Sequence, residues 1–280
     1  MSIDEIVALA LIEDIGDGDH TSLATIPEDR TGRARLLVKE PGIIAGIDIA
    51  RKVFQKVDSS TRFHAIFKDG DIINPGDIVF TVEGKSISLL SAERLSLNFM
   101  QRMSGIATST NRIVQLLEGL PCRLLDTRKT TPLLREIEKY SVRIGGGHNH
   151  RFGLFDMIMI KDNHVDFAGG IVKAIKAVQE YLAKNDKDLR IEIEVRNFEE
   201  LQEVMNNGGV HRIMLDNFNP ENLKNAVDII GGRYETEASG GITFETIRAF
   251  AETGVDYISV GALTHHIKSL DLSLKGSSIN

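Results

Sequence analysis

The sequence predicts an α/β protein, with a mixed α+β first part and a second part built on a parallel sheet covered by helices. From Pro121 onward, short apolar runs alternate with helix-like segments, a rhythm typical of βαβ units. The six runs are RLLD, DMIMI, RIEIEV, RIML, YETEAS and YISV. Six such units fit an open or closed α/β barrel, and a doubly wound sheet is the alternative. A dinucleotide-binding Rossmann fold is disfavoured, because no GxGxxG follows the first run.

The first part of the chain predicts short strands among helices. Residues 1–14 predict an amphipathic helix, with an apolar face formed by Ile3, Ile6, Val7, Leu9 and Ala10. The runs ARLLV, RFHAIF and DIVFTVEG predict strands, and IDIARKVFQKV predicts a helix between them. A long helical stretch follows, and we expect Gly105 to break it.

Composition limits the classes of function. The chain has 280 residues, a formal net charge of −7 and 42% hydrophobic residues. The acidic balance disfavours nucleic acid as a partner, since a phosphate backbone requires a basic surface. A single cysteine, Cys122, excludes an intramolecular disulfide and a cysteine-built zinc site. With no signal-peptide pattern at the start and no apolar run of membrane-spanning length, we expect a cytoplasmic protein without a membrane partner.

Cationic and imidazole side chains concentrate between residues 123 and 164. This stretch has eight Lys/Arg against five Asp/Glu, in a chain that is acidic as a whole. Its most conspicuous members are Arg128, Lys129, His148, His150, Arg151, Lys161 and His164. We expect the three glycines 145–147 to let the chain turn tightly enough for His150 and Arg151 to reach a ligand. A local cationic pocket of this kind favours a small anionic ligand.

If the second part is a barrel, its active site lies at the carboxyl ends of the strands. Polar residues or glycines occur at the end of every predicted strand. In chain order they are Asp126, Thr127, Arg128 and Lys129, then Lys161, Glu194, Asp216, then Ser239, Gly240 and Gly241, then Gly261. Lys161 stands out, because a lysine directly after four apolar strand residues is costly unless it is paired.

These strand ends differ in chemistry. Arginine recognises carboxylates in a bidentate manner, and glycine loops let backbone N–H groups approach a phosphate. Two carboxylates near a phosphate favour Mg²⁺. The residues therefore predict a ligand that carries carboxylates and phosphates, together with Mg²⁺.

Other interpretations fit parts of this pattern. Taken alone, Arg128 and Lys129 fit a solvated pair, and Glu194 and Asp216 fit strand-end ion-pair partners. A Schiff-base aldolase could use Lys161 as its nucleophile. A non-catalytic protein that binds a phosphorylated metabolite would need only the glycine loops.

A zinc-dependent hydrolase built on His148, His150 and His164 is a further alternative. The x-His-x-His spacing favours a metal. Against it, suitably spaced carboxylates are missing from the neighbouring sequence, and the local cations would repel a metal ion.

The motifs DTRKTTP, EKYSVRIGGGHNHRFGLFDMIMIKDNH, IEIEVRN, LDNF, EASGGI and SVGALTHH resemble those of the quinolinate phosphoribosyltransferase family, also called nicotinate-nucleotide pyrophosphorylase (carboxylating). The first part of the chain is similar to the family in ALIEDIGDGDHTS, GIIAG and AERLSLNFMQRMSGIAT. The resemblance covers nearly the whole chain, with the motifs in order. TRKT together with GGGHNHR and IKDNH is its most specific part.

The resemblance implies an N-terminal α/β sandwich domain, residues 1–110, and an open seven-stranded α/β barrel, residues 111–266. We expect residues 267–280 to pack on the sandwich domain. The implied enzyme is a decarboxylating glycosyltransferase of de novo NAD biosynthesis. It converts quinolinate and phosphoribosyl pyrophosphate to nicotinate mononucleotide, pyrophosphate and CO₂, with Mg²⁺. The implied assembly is a homodimer or homohexamer with a shared active site.

The resemblance also implies roles for individual residues. Quinolinate would contact Thr127, Arg128, His150, Arg151 and Lys161, with Arg94 from a neighbouring subunit. The phosphoribosyl donor would contact Lys129, Glu194, Asp216, Ser239, Gly240, Gly241 and Gly261. Glu194 and Asp216 would hold Mg²⁺ directly or through water. The catalytic group would be Lys161, Arg128, Glu194 and Asp216.

The chain departs from the family pattern at a few positions. Leu133 stands where family members often have glycine, and Ile144 stands where cysteine is common. The spacing from Glu194 to Asp216 is one residue longer than expected, which leaves the choice between Glu194 and Glu192 open.

Overall fold

The structure is a computed structural model that describes residues 2–278. Met1, Ile279 and Asn280, at the ends of the predicted first domain and C-terminal tail, lie outside the described residues. Contacts divide the chain into two compact units. The first comprises the chain up to Asn111, Thr130–Gly146 and the chain from Ala262 onward, and the second comprises Arg112–Lys129 and Gly147–Gly261. The domain boundaries expected from the sequence stay a prediction.

The first unit contains an antiparallel sheet with the strand order β12-β1-β5-β3. Its strands are β1 (Thr31–Val38), β3 (Arg62–Ala65), β5 (Ile78–Lys85) and β12 (Leu272–Ser278), and a separate small sheet pairs β2 (Gly42–Ile43) with β4 (Ile72–Ile73). Alternate residues of β1 are buried, which is the pattern of a strand with one face on a core. The runs ARLLV, RFHAIF and DIVFTVEG contribute to these strands as predicted.

Helices pack on this sheet and begin at recognisable sequence signals. The helices that begin in the first unit are α1 (Ile3–Ile15), α2 (His20–Thr25), α3 (Ile47–Val57), α4 (Ser86–Leu116), α5 (Arg135–Ile144) and α11 (Ala262–His265). Ser2 and Glu5 form a reciprocal capping box at the start of α1. The buried stripe of α1 consists of Ile6, Val7 and Leu11. The prediction that Leu9 shares this face is wrong, because Leu9 lies away from the stripe and is 53% exposed.

Gly105 does not break the long helix as predicted, because α4 continues through it. The glycine instead permits a close approach of two backbone segments. A Cβ atom at Gly105 would lie 2.4 Å from the carbonyl oxygen of Lys268. This position therefore needs glycine for space rather than for flexibility.

Two of the three glycines at 145–147 have separate reasons for lacking a side chain, and nothing in the structure explains Gly147. Gly145 ends α5 with helical angles (φ −75°, ψ −1°), and a Cβ atom there would lie 2.4 Å from the carbonyl oxygen of Ala107. Gly146 has φ 91°, in the left-handed region that favours glycine. Leu133 has φ 67°, which gives a physical reason for the glycine that family members often have at that position.

The second unit is built on a parallel sheet with the strand order β6-β11-β10-β9-β8-β7. The strands are β6 (Arg123–Leu125), β7 (Ile158–Ile160), β8 (Ile191–Val195), β9 (Arg212–Asp216), β10 (Glu235–Ser239) and β11 (Tyr257–Ser259). All six predicted strands are thereby confirmed. A single parallel bridge between His148 and Leu125 continues the sheet beyond β6. In residues 2–278 the seven-stranded barrel is thus represented by six regular strands and one bridge.

Helices alternate with these strands and begin soon after several of them end. They are α6 (Asp162–Ala168), α7 (Ile171–Lys184), α8 (Phe198–Asn207), α9 (Pro220–Ile230) and α10 (Ile247–Ala251). The Asn197 side chain accepts a hydrogen bond from the Glu200 N–H at the start of α8, and Asn219 caps α9 in the same way. These caps keep the loops after β8 and β9 short. Over the part of the chain that the structure describes, no helix is long and apolar enough to cross a bilayer.

Gly105→Ala tests the close approach at α4. We expect a loss of about 1–3 kcal/mol in the free energy of unfolding, because inserting a methyl group into a packed contact costs that much. Helix propensity alone predicts the opposite sign, a gain of about 1 kcal/mol. Urea unfolding measures the difference, with Ser109→Ala in the same helix as the control. A Gly105→Ala protein as stable as the wild type would contradict the packing.

Candidate active site

The carboxyl ends of the parallel strands bring the predicted site residues to one edge of the second unit's sheet. Asp216, at the end of β9, lies opposite Ser239, at the end of β10. The Ser239 hydroxyl donates to the Asp216 carboxylate at 2.6 Å. Glu194 lies on the adjacent strand β8, one residue before its end. The middle and late strand ends thus form one polar cluster, as predicted.

Asp126, directly after β6, attaches the histidine segment to the same edge. Its buried carboxylate accepts hydrogen bonds from the His150 N–H at 2.9 Å and from the Asn149 side chain at 2.5 Å. The His148 carbonyl accepts from the Asp126 N–H at 3.1 Å. Residues 148–150 therefore lie beside the residues that follow β6, although they are distant in sequence.

Two arginines supply the cationic part of this edge. Arg128 and Arg151 are both half-buried. The pKa of Arg151 is lowered first by burial and then by the charge of Arg128, so these two cations repel each other. The Arg151 side chain also donates to the Met157 carbonyl at 3.2 Å. Two like charges held near one another favour a ligand with two negative charges.

Lys161 follows β7, where we expected a lysine to need a partner. About half of its side chain is exposed, and its Nζ lies 4.0 Å from a carboxylate oxygen of Glu194. Its backbone N–H donates to the His164 ring at 2.9 Å. The lysine therefore avoids the cost of burial and still lies beside the carboxylate cluster.

Glu192 and Glu194 differ in burial. Both point to the same face of β8, since they are two residues apart. Glu192 is completely buried, whereas the Glu194 side chain is 10% exposed and lies near Lys161. Burial and the charge of Asp216 raise the pKa of Glu194. Two carboxylates with this mutual repulsion have the oxygen chemistry that suits Mg²⁺.

The loop after β10 leaves the backbone accessible. Gly240 has φ 91° and Gly241 has φ 62°, both in the left-handed region. A Cβ atom at Gly240 would lie 2.2 Å from the side-chain oxygen of Asn217. A loop that requires glycine for both conformation and space presents its N–H groups without covering side chains, as phosphate sites require.

The remaining predicted site residues are partly or fully exposed. The Thr127 hydroxyl accepts from the Lys129 N–H at 3.0 Å, and the Lys129 side chain is exposed. Gly261 follows β11 and is partly exposed. Arg94 is an exposed residue of α4 in the first unit.

The sequence did not reveal a buried charge network around His150. The His150 Nε2 atom lies 3.1 Å from Glu192 and 3.4 Å from Glu237. Suitably spaced carboxylates are missing from the sequence next to the histidines, but two glutamates from distant strands lie beside His150 in the structure. The sequence did contain one indication of this network. Successive side chains of a strand point to opposite faces, and by this alternation Glu192 and Glu237 both face inward.

A zinc site built on three histidines is not supported in residues 2–278. The group of potential ligands found there is His150, Glu192 and Glu237. His148 and His164 are exposed, and the His164 Nδ1 atom already accepts from the Lys161 N–H.

The fold and the site together define a class of protein: an α/β-barrel enzyme whose strand ends can bind an anionic substrate and a phosphate. The model of the quinolinate phosphoribosyl transferase N-terminal domain matches residues 19–104, and that of the C-terminal domain matches residues 106–275. The chain belongs to the quinolinate phosphoribosyltransferase family.

Individual relatives agree with this assignment. Quinolinate phosphoribosyltransferase [decarboxylating] 1b of Nicotiana tabacum is 48% identical over 285 residues, covering 96% of this chain and 81% of that protein. The probable nicotinate-nucleotide pyrophosphorylase [carboxylating] of Bacillus subtilis is 43% identical over 263 residues, with 94% and 89% covered.

Solved structures extend the comparison to the fold. NadC from Streptococcus pyogenes has a TM-score of 0.93 at 40% identity and covers 99% of this chain and 97% of its own. The nicotinate-nucleotide pyrophosphorylase from Francisella tularensis has a TM-score of 0.92 at 41% identity, with 98% and 96% covered.

Glu194→Gln tests the repulsion between the two carboxylates. The raised pKa of Glu194 means that the folded state holds a proton more tightly than the unfolded state, so ionised Glu194 destabilises the protein at neutral pH. We expect Glu194→Gln to be more stable than the wild type at pH 7 by roughly 0.5–2 kcal/mol. The advantage should vanish as the pH falls below 4.5, the ordinary value for this carboxyl.

Thermal unfolding as a function of pH measures this difference. Glu199→Gln, an exposed residue in the first turn of α8, is the control. A Glu194→Gln protein that is less stable than the wild type at pH 7 would exclude the repulsion.

Proposed function

We propose that the chain transfers the phosphoribosyl group of phosphoribosyl pyrophosphate to the ring nitrogen of quinolinate. The products are nicotinate mononucleotide, pyrophosphate and CO₂, and the reaction belongs to NAD biosynthesis. The observation that carries the proposal is the pair of neighbouring cations Arg128 and Arg151, at the same sheet edge as two carboxylates and a glycine loop. Charges of this kind match a dicarboxylate at one end and a phosphorylated donor at the other.

The quinolinate end of the site is proposed to be cationic. Arg128 and Arg151 bind the two carboxylates, since a guanidinium group can donate two parallel hydrogen bonds to a carboxylate. Lys161, half exposed beside Glu194, adds a third positive charge. Thr127 and His150 stay predicted as further contacts.

The donor end is proposed to combine a cation, a glycine loop and the carboxylate cluster. Lys129, whose side chain is exposed, faces the negatively charged donor. The N–H groups of the loop at Gly240 and Gly241, with the Ser239 hydroxyl and Gly261, bind the 5′-phosphate.

Glu194 and Asp216 would hold Mg²⁺, directly or through water. Their oxygen ligands suit this ion, and a cation would relieve the repulsion that raises the pKa of Glu194. When bound, Mg²⁺ supplies charge neutralisation for the leaving pyrophosphate.

The chemistry requires positioning more than proton transfer. The quinolinate nitrogen forms a bond to the anomeric carbon while the bond to pyrophosphate breaks, so residues that hold both anions in line lower the barrier. Loss of the 2-carboxylate as CO₂ then leaves its electron pair on C2, where the adjacent positively charged ring nitrogen stabilises it, and a proton from solvent binds to C2. Arg128, Arg151 and Lys161 orient the carboxylates for this step.

Arg128→Ala and Lys129→Ala test the division of the site into two ends. We expect Arg128→Ala to weaken quinolinate binding by about 100-fold or more, because truncating one partner of a buried charge pair costs several kcal/mol. Binding of phosphoribosyl pyrophosphate should survive. Lys129→Ala should show the reverse pattern. Calorimetric titration of each ligand measures the two affinities, and equal loss of both ligands in either variant would contradict the division.

A second proposal concerns the assembly. We propose that Arg94, exposed on α4, completes the quinolinate site of a neighbouring subunit. A mixture of inactive Arg94→Ala and inactive Lys161→Ala subunits, dissociated and reassembled, then contains some sites with both native residues. In a dimer, random pairing gives about one quarter of the wild-type activity. Reassembly of each variant alone is the control, and a mixture that stays inactive would exclude the shared site.

A further inference from the structure

The interior of the second unit's barrel contains charges where branched apolar side chains are usual. Glu192 on β8 and Glu237 on β10 are both completely buried. Arg212 on β9 is opposite Glu192 on one side and Glu235 on the other. Buried charges are costly unless they are paired. The contacts of these side chains therefore decide what the network can do.

Arg212 is the positive centre of this network. Its guanidinium group donates to Glu237 at 2.9 Å and to Glu235 at 3.0 Å, and it lies 3.8 Å from Glu192. The ring of Tyr257 lies 4.0 Å from the guanidinium carbon, a cation–π distance. Arg190 pairs with Glu235 at 2.7 Å. Arg190 and Glu235 balance each other, which leaves Arg212 to balance one of the two fully buried glutamates.

Both ring nitrogens of His150 face polar groups, and one of them faces this network. Its Nε2 atom lies 3.1 Å from Glu192 and 3.4 Å from Glu237. Its Nδ1 atom accepts a hydrogen bond from the N–H of Arg151 at 2.7 Å. The same ring thus connects the barrel interior to the backbone of an arginine that we assign to the substrate.

The contacts of the two ring nitrogens fix the orientation of His150. Because Nδ1 accepts from the Arg151 N–H, Nε2 carries a proton, and this proton faces Glu192 and Glu237. Burial would lower the pKa of His150, but the same two carboxylates outweigh it and raise that pKa.

The same three side chains could be taken for a metal site, since their ligand atoms lie within 4.8 Å of one another. The guanidinium group of Arg212, 2.9 Å from Glu237, already supplies the positive charge. A divalent cation there would be repelled by this guanidinium group. The arrangement favours a structural anchor over a metal ligand set.

We propose that Glu192, Glu237 and Arg212 are positioning residues, which hold the His150 ring in the barrel and thereby place Arg151 against the dicarboxylate substrate. This inference rests on the proposed function, because it concerns the quinolinate end of that site. It gives His150 a role through Arg151, in addition to the direct contact predicted from the sequence. A shift of the ring would move the Arg151 N–H and, with it, the guanidinium group beside Arg128.

The test compares Glu237→Gln with Glu235→Gln. Both variants remove a carboxylate that pairs with Arg212, but only Glu237 contacts His150. We expect Glu237→Gln to weaken quinolinate binding on the order of 10- to 100-fold, as displaced supporting residues do. Its affinity for phosphoribosyl pyrophosphate should stay within about threefold of the wild type, and Glu235→Gln should leave both affinities within that range.

A second measurement reports directly on the protonation of the His150 ring. Nitrogen NMR of ¹⁵N-histidine-labelled protein at pH 7 should show the His150 signal, identified by its loss in His150→Gln, with a proton on Nε2. Glu237→Gln should move this signal. A purely structural role for Glu237 would lower the melting temperature without a selective loss of quinolinate affinity.

The outcomes separate the two proposals. A wild-type protein that binds no quinolinate overturns the proposed function, and the positioning role with it. A wild type that binds quinolinate, with a Glu237→Gln variant that binds it equally well, overturns the positioning role alone. If Glu237→Gln does not fold, the double variant Glu237→Gln/Arg212→Met removes both charges at lower cost. If this double variant binds quinolinate as well as the wild type does, the positioning role is overturned.

Discussion

The buried carboxylate of Asp126 is the interaction on which the cationic half of the site depends. It accepts hydrogen bonds from the His150 backbone and the Asn149 side chain, and so attaches residues 148–150 to the end of β6. This attachment brings Arg151 beside Arg128, two residues beyond Asp126. A hydrogen bond to a charged group contributes about 1.5–3 kcal/mol. That energy is comparable to the repulsion between two nearby guanidinium groups, which a compact cationic site must overcome.

Like charges at both ends of the site give the free protein a cost that its ligands would remove. Arg128 and Arg151 repel each other at one end, and Glu194 and Asp216 do so at the other. A dianion at the first pair and a divalent cation at the second would convert both repulsions into attractions. Stability lost in the free protein is then recovered as binding energy, a common arrangement in active sites.

The sequence predicted the parts of the structure that depend on local pattern. Apolar runs located all six regular strands of the parallel sheet, and the residues after them located the edge where Glu194, Asp216 and Ser239 meet. Predictions failed where a distant segment decides the outcome. Gly105 was expected to break α4, but its role depends on the carbonyl of Lys268.

The charge network around His150 was missed for the same reason. Glu192 and Glu237 come from different strands, and only the parallel register brings them to one ring. Period-two alternation indicates which way each side chain faces, but it gives no distance between side chains on different strands. The spacing to Asp216 left the choice between Glu192 and Glu194 open, and the structure adds that Glu192 is the more deeply buried of the two.

The most direct measurement of the central claim is product formation from quinolinate labelled with ¹³C at the 2-carboxylate. The protein is incubated with this quinolinate, phosphoribosyl pyrophosphate and Mg²⁺, and nicotinate mononucleotide and labelled CO₂ are quantified together. A site that holds both substrates in line should release one labelled CO₂ for each nicotinate mononucleotide formed. Absence of nicotinate mononucleotide, or release of CO₂ without it, would contradict the function assigned to this site.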